Sequence, residues 1–331
     1  MQEQWNHKIF TLEEKDFSSL ALEIFRYQYL RNPVYKNYVD VLGINSLAID
    51  DYRNIPFLPI RFFKTHQVKT GSFEAAAVFE SSGTTETIPS RHFIKELSLY
   101  EQSFTEGFKK FYGSPGNYAI LGLLPSYLER KNSSLVYMVK ELIGHSNCPE
   151  SGFFLNDHEK LYGHLKKLEE RAQKTLLIGV SFALLDFAGQ WGFPLKHAIV
   201  VETGGMKGRR KEMIRAELHD HLQEAFSLAA IHSEYGMTEL VSQAWSAGEG
   251  IFHCPSWMRI LIRDEDDPLT IKPFSSTNPV SGAINIIDLA NIHSCSFIAT
   301  EDAGSLYPDG SFEILGRLDN SDLRGCSLMV V

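Results

Sequence analysis

Three short segments carry side chains that suit a polyphosphate. Residues 81–90, Ser81-Ser82-Gly83-Thr84-Thr85-Glu86-Thr87-Ile88-Pro89-Ser90, hold six hydroxylic residues and follow the apolar run 75–79. Such a loop offers hydroxyls and backbone N–H groups to phosphate oxygens, and glycine permits close approach; a Ser/Thr-rich surface turn has the same composition. The second segment is Glu234-Tyr235-Gly236-Met237-Thr238-Glu239. It combines an aromatic face for a base, a small turn residue, a hydroxyl for a phosphate and a carboxylate for Mg2+. In the third, Thr300-Glu301-Asp302 is followed by Asp309-Gly310 and then Gly316-Arg317. A carboxylate can accept from both hydroxyls of a ribose, and a guanidinium can pair with a phosphate.

Other signatures are missing. The chain has no G-x-x-x-x-G-K-[ST] loop and no H-E-x-x-H, and Gly248-Glu249-Gly250 lacks the third glycine of a dinucleotide fingerprint. Gly179-Val180-Ser181 stands between an apolar run and a helical pattern, but Ala183 replaces the second glycine of a nucleophile elbow, so it reads as a plain strand-to-helix turn.

The elements that must position these segments alternate. Thr11-x-x-Glu14 reads as a capping box ahead of Phe17, Leu20, Ala21 and Ile24, predicting a helix that ends near Asn32-Pro33. Further stripes are Leu97, Tyr100, Phe104, Phe108 and Phe111; Leu161, Leu165 and Leu168; and Ile214, Leu218 and Leu222. Their spacing makes them core faces of helices. Apolar runs at 118–124, 175–180, 198–201 and 228–231 read as buried strands between those helices. Beyond about residue 250 come Pro-rich acidic loops and strands around a Pro308-Asp309-Gly310 turn. The expected architecture is therefore α/β: residues 1–250 as a helix-covered, mostly parallel core with an N-terminal helical segment, and 251–331 as a smaller, mostly antiparallel β-rich lobe.

The 331 residues are 44% apolar and 22% charged, values of a globular chain with ample core. A net charge of −9 argues against nucleic acid as a partner, which needs a basic face to release counterions, but leaves a small anionic ligand open. No signal-peptide pattern and no run of 18 apolar residues is present, so a cytoplasmic chain without a membrane span is expected. Cysteines 148, 254, 295 and 326 form no C-x-x-C pair, which points away from a zinc module or disulfide framework.

Taken in order, SSGTT, YGMTE, ED with its following DG, and LGRLDNSDLRG resemble the adenylate-forming superfamily of acyl-CoA ligases, luciferases and peptide-synthetase adenylation domains. Ile55-Pro56-Phe57-Leu58-Pro59-Ile60 with Phe63-Lys64, Thr203-Gly204-Gly205-Met206-Lys207, and Arg324-Gly325-Cys326-Ser327-Leu328 resemble its acyl-protein synthetase branch, the ligase component of bacterial fatty acid reductase. The resemblance runs over roughly residues 52–328. It implies the superfamily's large-domain fold without most of the mobile C-terminal domain, with ATP and Mg2+ as cofactors. It also implies a carboxylic acid substrate, a long-chain fatty acid above all, with the apolar residues 121–124 and 181–187 as candidate acyl-pocket walls. The acyl acceptor would be the chain's own thiol, CoA or a reductase-like protein. By the resemblance Ser81, Ser82, Gly83, Thr84 and Thr85 would hold the β and γ phosphates, and Gly204, Gly205 and Tyr235 would flank adenine. In the turn of Gly236 and Met237, Thr238 would touch the α-phosphate and Glu239 would ligate Mg2+. Asp302 would hold the ribose, and Arg317 the ribose and phosphate region.

Departures matter too. Glu86 stands where the family has glycine, Ser90-Arg91 stands where it has a lysine, and Val331 ends the chain before the mobile domain's catalytic lysine; Lys207 and Arg91 are the expected substitutes. Cys326, with Arg324 near to lower its pKa, is the expected acyl-accepting nucleophile. Rival readings are a CoA ligase of the phenylacetate type and a nucleotide-binding subunit without catalysis.

Overall fold

A computed structural model of the chain describes residues 2–81, 88–124, 132–204 and 213–318. Its helices are α1 (Gln2–Phe10), α2 (Phe17–Arg31), α3 (Pro33–Val41), α4 (Phe62–Thr65), α5 (Leu97–Tyr112), α6 (Ser134–Gly144), α7 (His158–Glu170), α8 (Ser181–Trp191) and α9 (Arg215–Phe226). Strands β1 (Leu58–Pro59), β2 (Ala77–Glu80), β3 (Arg91–Ile94), β4 (Ala119–Leu123), β5 (Gly152–Phe153), β6 (Thr175–Val180) and β7 (Ala198–Thr203) precede β8 (His232–Tyr235). After it come β9 (Ala244–Ser246), β10 (Ile251–His253), β11 (Met258–Arg263), β12 (Val280–Asp288), β13 (Phe297–Leu306) and β14 (Phe312–Arg317).

One long sheet, in the order β11-β12-β13-β14-β10-β9-β8-β7-β6-β4-β5, joins most of these strands, and β1 adds to β13. From β5 to β8 the strands are parallel and helix-connected; β4 and β6 are buried over every residue, as strands covered on both faces must be. From β9 onward they are antiparallel. The expected antiparallel C-terminal part is thus present, but strands on either side of the 250/251 boundary pair, Phe252 opposite Ser246. Both parts share one sheet.

The apolar stripes become buried faces: Tyr100, Phe104 and Phe108 on α5, with Leu97 and Phe111 half-buried at its ends, and Leu161, Leu165 and Leu168 on α7. Three expectations shift. Ile214 stands ahead of α9 and is 72% exposed, so that stripe begins at Leu218. The run 228–231 is a turn; the strand starts at His232, because pairing with β7 engages the polar sequence His-Ser-Glu-Tyr. Thr11 caps no following helix: its hydroxyl donates to the His7 carbonyl at 2.7 Å, closing α1, and a 3-10 turn at Glu14–Asp16 leads into α2. That helix ends as expected at Asn32, whose side chain accepts from the Val34 and Tyr35 N–H groups, both at 3.1 Å, and so caps α3.

Candidate functional site

The parallel strands β7 and β8 end side by side, and β13 and β14 bring a second edge toward them across β9 and β10. Ligand sites of open α/β sheets lie at such carboxyl ends. Tyr235 closes β8, its ring packed edge-on against Phe312, with centroids 5.5 Å apart. Its hydroxyl donates to Asp302 Oδ2 at 2.8 Å. Asp302 lies directly opposite Arg317 in the β13–β14 ladder, with Arg317 Nε 3.8 Å from Oδ1. Arg317 also approaches Glu301 at 3.6 Å, and Arg61 pairs with the same Glu301. Burial pushes the Asp302 carboxyl up, against the Tyr235 hydrogen bond and the Arg317 charge that hold it down. The result is a partly sheltered carboxylate beside an exposed guanidinium, one to accept hydroxyls and the other to meet a phosphate.

Gly236 to Glu239 turn away from the strand end toward β3. Glu239 is 5% exposed; burial raises its carboxyl, while a hydrogen bond with Ser90 and the charges of Lys64 and Arg317 pull it down. Two backbone contacts fix this turn. The His92 Nδ1–H donates to the Thr238 carbonyl at 2.8 Å, and Asn291 Nδ2 donates to the Glu239 carbonyl, also at 2.8 Å. His92 Nε2 lies 3.1 Å from Asn291 Oδ1, and burial pushes its imidazole down to about 4. Just beyond, Asp288 accepts from the N–H groups of Val241 and Ser242 at 2.8 and 2.9 Å.

β2 and β3 form a separate hairpin whose neck is closed by Ser81 N–H to the Ser90 carbonyl, 3.0 Å, and Ser90 N–H to Ser81 Oγ, 2.9 Å. Ser81 therefore shapes the base of its loop. Ser82, Gly83, Thr84 and Thr85 lie outside the described residues, as do Glu86, Gly205, Lys207, Arg324 and Cys326. Gly204 follows β7 at φ 70°, and its carbonyl accepts from the Ser181 hydroxyl at 2.5 Å. Ser181 starts α8 right after β6, so Gly179-Val180-Ser181 is the strand-to-helix turn read from the sequence, with a buried serine. Arg91 departs from expectation: its guanidinium lies over the Phe93 ring at 5.8 Å, on the face of β3 opposite His92.

Tyr235, Glu239, Asp302 and Arg317 are thus gathered from three parts of the chain. Sequence reasoning missed His92, Asn291 and Asp288. Single polar residues inside apolar stretches, as in Ile286-Ile287-Asp288-Leu289-Ala290-Asn291, were the available signal. It also missed Arg263, whose buried guanidinium donates to the carbonyls of Ile284 at 2.7 Å and Thr300 at 2.6 Å and so holds β13 two residues before Asp302. Among the described residues no group of three His, Cys, Asp or Glu could hold a metal ion. A lone carboxylate such as Glu239 fits Mg2+ that arrives on a polyphosphate and keeps its waters, and does not fit a resident metal.

Among the described residues no helix is long and apolar enough to cross a membrane. Comparison with solved structures places the fold. O-succinylbenzoate coenzyme A synthetase from Bacillus subtilis, in complex with ATP and magnesium ion, is similar with a TM-score of 0.50 and 17% identity over 77% of this chain and 52% of that one. Amide bond synthetase McbA from Marinactinospora thermotolerans gives a TM-score of 0.50 and 15% identity over 77% of this chain and 51% of that one. The chain therefore spans about half the length of these structures. A search of curated proteins returned no match. The family model described as "Acyl-protein synthetase, LuxE" matches residues 10–331. With that match over nearly its whole length, the chain belongs to the LuxE acyl-protein synthetase family.

Proposed function

We propose that the protein activates a carboxylic acid, a long-chain fatty acid first among them, with Mg2+-ATP, and passes the acyl group to a thiol, that of Cys326. The observation that carries this reading is the convergence of Tyr235, Asp302 and Arg317 with Glu239 beside paired parallel strand ends. A carboxylate oxygen attacks the α-phosphorus, the bond to the β-phosphate oxygen breaks, and its electron pair leaves on pyrophosphate. The thiolate then attacks the acyl carbonyl and AMP departs. Asp302 orients the ribose, and Arg317 and Glu239 act on the phosphates directly and through Mg2+. The chemistry Mg2+ supplies is neutralisation of the leaving pyrophosphate. CoA or a reductase-like acceptor protein then takes the acyl group onward from the cysteine.

The test is acid-dependent ATP–pyrophosphate exchange across straight-chain acids, followed by mass spectrometry of the protein. Exchange is expected in the wild type and in Cys326→Ala, with the acyl adduct lost only in the variant. Asp302→Ala should weaken exchange by about 1–3 kcal/mol, the scale of a charge-assisted hydrogen bond. Exchange without any adduct, with acyl-CoA released when CoA is added, would replace the acyl-protein step by CoA ligation. ATP binding without exchange would point to a non-catalytic subunit.

A further inference from the structure

Lys64 is delivered to this site by a part of the chain far from the nucleotide motifs. β1 pairs with β13, Pro59 opposite Ala299, and the Ile60 N–H donates to the Ala299 carbonyl at 2.9 Å. The segment therefore runs alongside the stretch of β13 that leads to Asp302, and Arg61 reaches Glu301. α4 follows at once. Its Phe63 is fully buried and edge-on to the His92 ring, with centroids 5.8 Å apart. The residue that holds the Thr238 carbonyl thus also anchors the helix carrying Lys64.

Lys64 is half-buried and acts electrostatically on Glu239, yet among the described residues its ammonium makes no hydrogen bond or ion pair. The charge of Glu239 attracts this ammonium from beyond ion-pair distance, and among the described residues its N–H donors stay available to a ligand. An anionic ligand would supply the partner.

We propose that Lys64 binds the anionic junction formed where the acid's carboxylate meets the nucleotide's α-phosphate. The inference rests on the acid-activation reading above. Two anions must come within bonding distance there, and the charge on the α-phosphoryl oxygens rises as the new C–O–P linkage forms and pyrophosphate leaves. Lys64 provides positive charge at that point and transfers no proton.

The experiment has two arms on the full chain. In the first, Lys64→Ala is expected to lower kcat for acid-dependent pyrophosphate exchange by about 100-fold, with Lys64→Arg recovering a tenth or more of the wild-type rate. In the second, acylation of Lys64 in the wild type by an N-hydroxysuccinimide ester is followed by peptide mass spectrometry, and saturating Mg2+-ATP is expected to slow it. Protection by Mg2+-ATP alone marks the phosphate as the ligand, and protection only with a fatty acid added marks the junction; either supports the proposal. A Lys64→Ala enzyme within about threefold of wild type in kcat and in both KM values would overturn it. So would labelling of Lys64 that no combination of ligands slows, a result that stands even where the variant does not fold. Absence of exchange in the wild type overturns the acid-activation reading instead, and labelling still reports on Lys64.

Discussion

Glu234 lies at the end of β8 beneath the Tyr235–Gly236 turn, where the Thr203 hydroxyl donates to it. Its carboxyl is so close to Gly236 that any side chain there would collide with it. Burial, partly offset by the Thr203 hydrogen bond and reinforced by neighbouring Glu202, pushes the carboxyl up to about 7. The unfolded chain releases that proton near the ordinary carboxylate range, so between that range and about 7 the folded state binds more protons. Stability from this group is complete at low pH and is lost as pH rises through the folded value. Glu234→Gln keeps an acceptor for Thr203 and removes the charge. It should melt above the wild type at pH 8, by on the order of 1 kcal/mol or a few degrees, and converge with it at about pH 5. Parallel melting curves across that range would show that Glu234 ionises without strain. The residue was visible at the head of the segment 234–239, whereas its environment was not: Thr203 comes from another strand.

At the scale of elements, the opposition of Asp302 and Arg317 depends on an irregularity. The β13–β14 register slips between Ala303 and Gly304. A Cβ on Gly304 would strike the Glu313 carbonyl oxygen and lie 2.5 Å from Ile284 Cδ1. Gly304→Ala should therefore destabilise the protein by about 1–3 kcal/mol and, by moving the Asp302 edge, weaken ATP binding as well. Gly107, inside α5, is the control, because a methyl group there would meet nothing within 4 Å: Gly107→Ala should gain up to about 1 kcal/mol. Urea unfolding of both variants checks the pair, and equal midpoints would remove the bulge from the account of the site. Helix stripes and fully buried strands were legible because each obeys its own local period. The capping box at Thr11 was not, because the hydroxyl bonds backward to His7 instead.

Across the whole molecule, the N-terminal helices brace the site from behind. Gln28 on α2 is fully buried; its Nε2 donates to the carbonyls of Asn291 at 3.0 Å and Ile292 at 3.1 Å, and its Oε1 accepts from Ser296 N–H at 2.9 Å. Asn291 in turn holds the Glu239 carbonyl and faces His92. Gln28→Leu leaves buried backbone groups unpaired, and an expected loss of about 2–5 kcal/mol in urea unfolding should come with a higher KM for ATP. An unchanged midpoint would mean that the 288–296 loop stands without the helix. Sequence by itself determined the residue types of the site, the alternation of helices and buried strands, and the family, because motifs and hydrophobic periods are short-range properties written in consecutive residues. Only the tertiary structure decided that Tyr235 meets Asp302, that His92 and Asn291 hold the turn before and at Glu239, and that the charge of Lys64 acts on that carboxylate. Those contacts join residues separated by tens to hundreds of positions, and no local pattern encodes which distant partner closes a hydrogen bond.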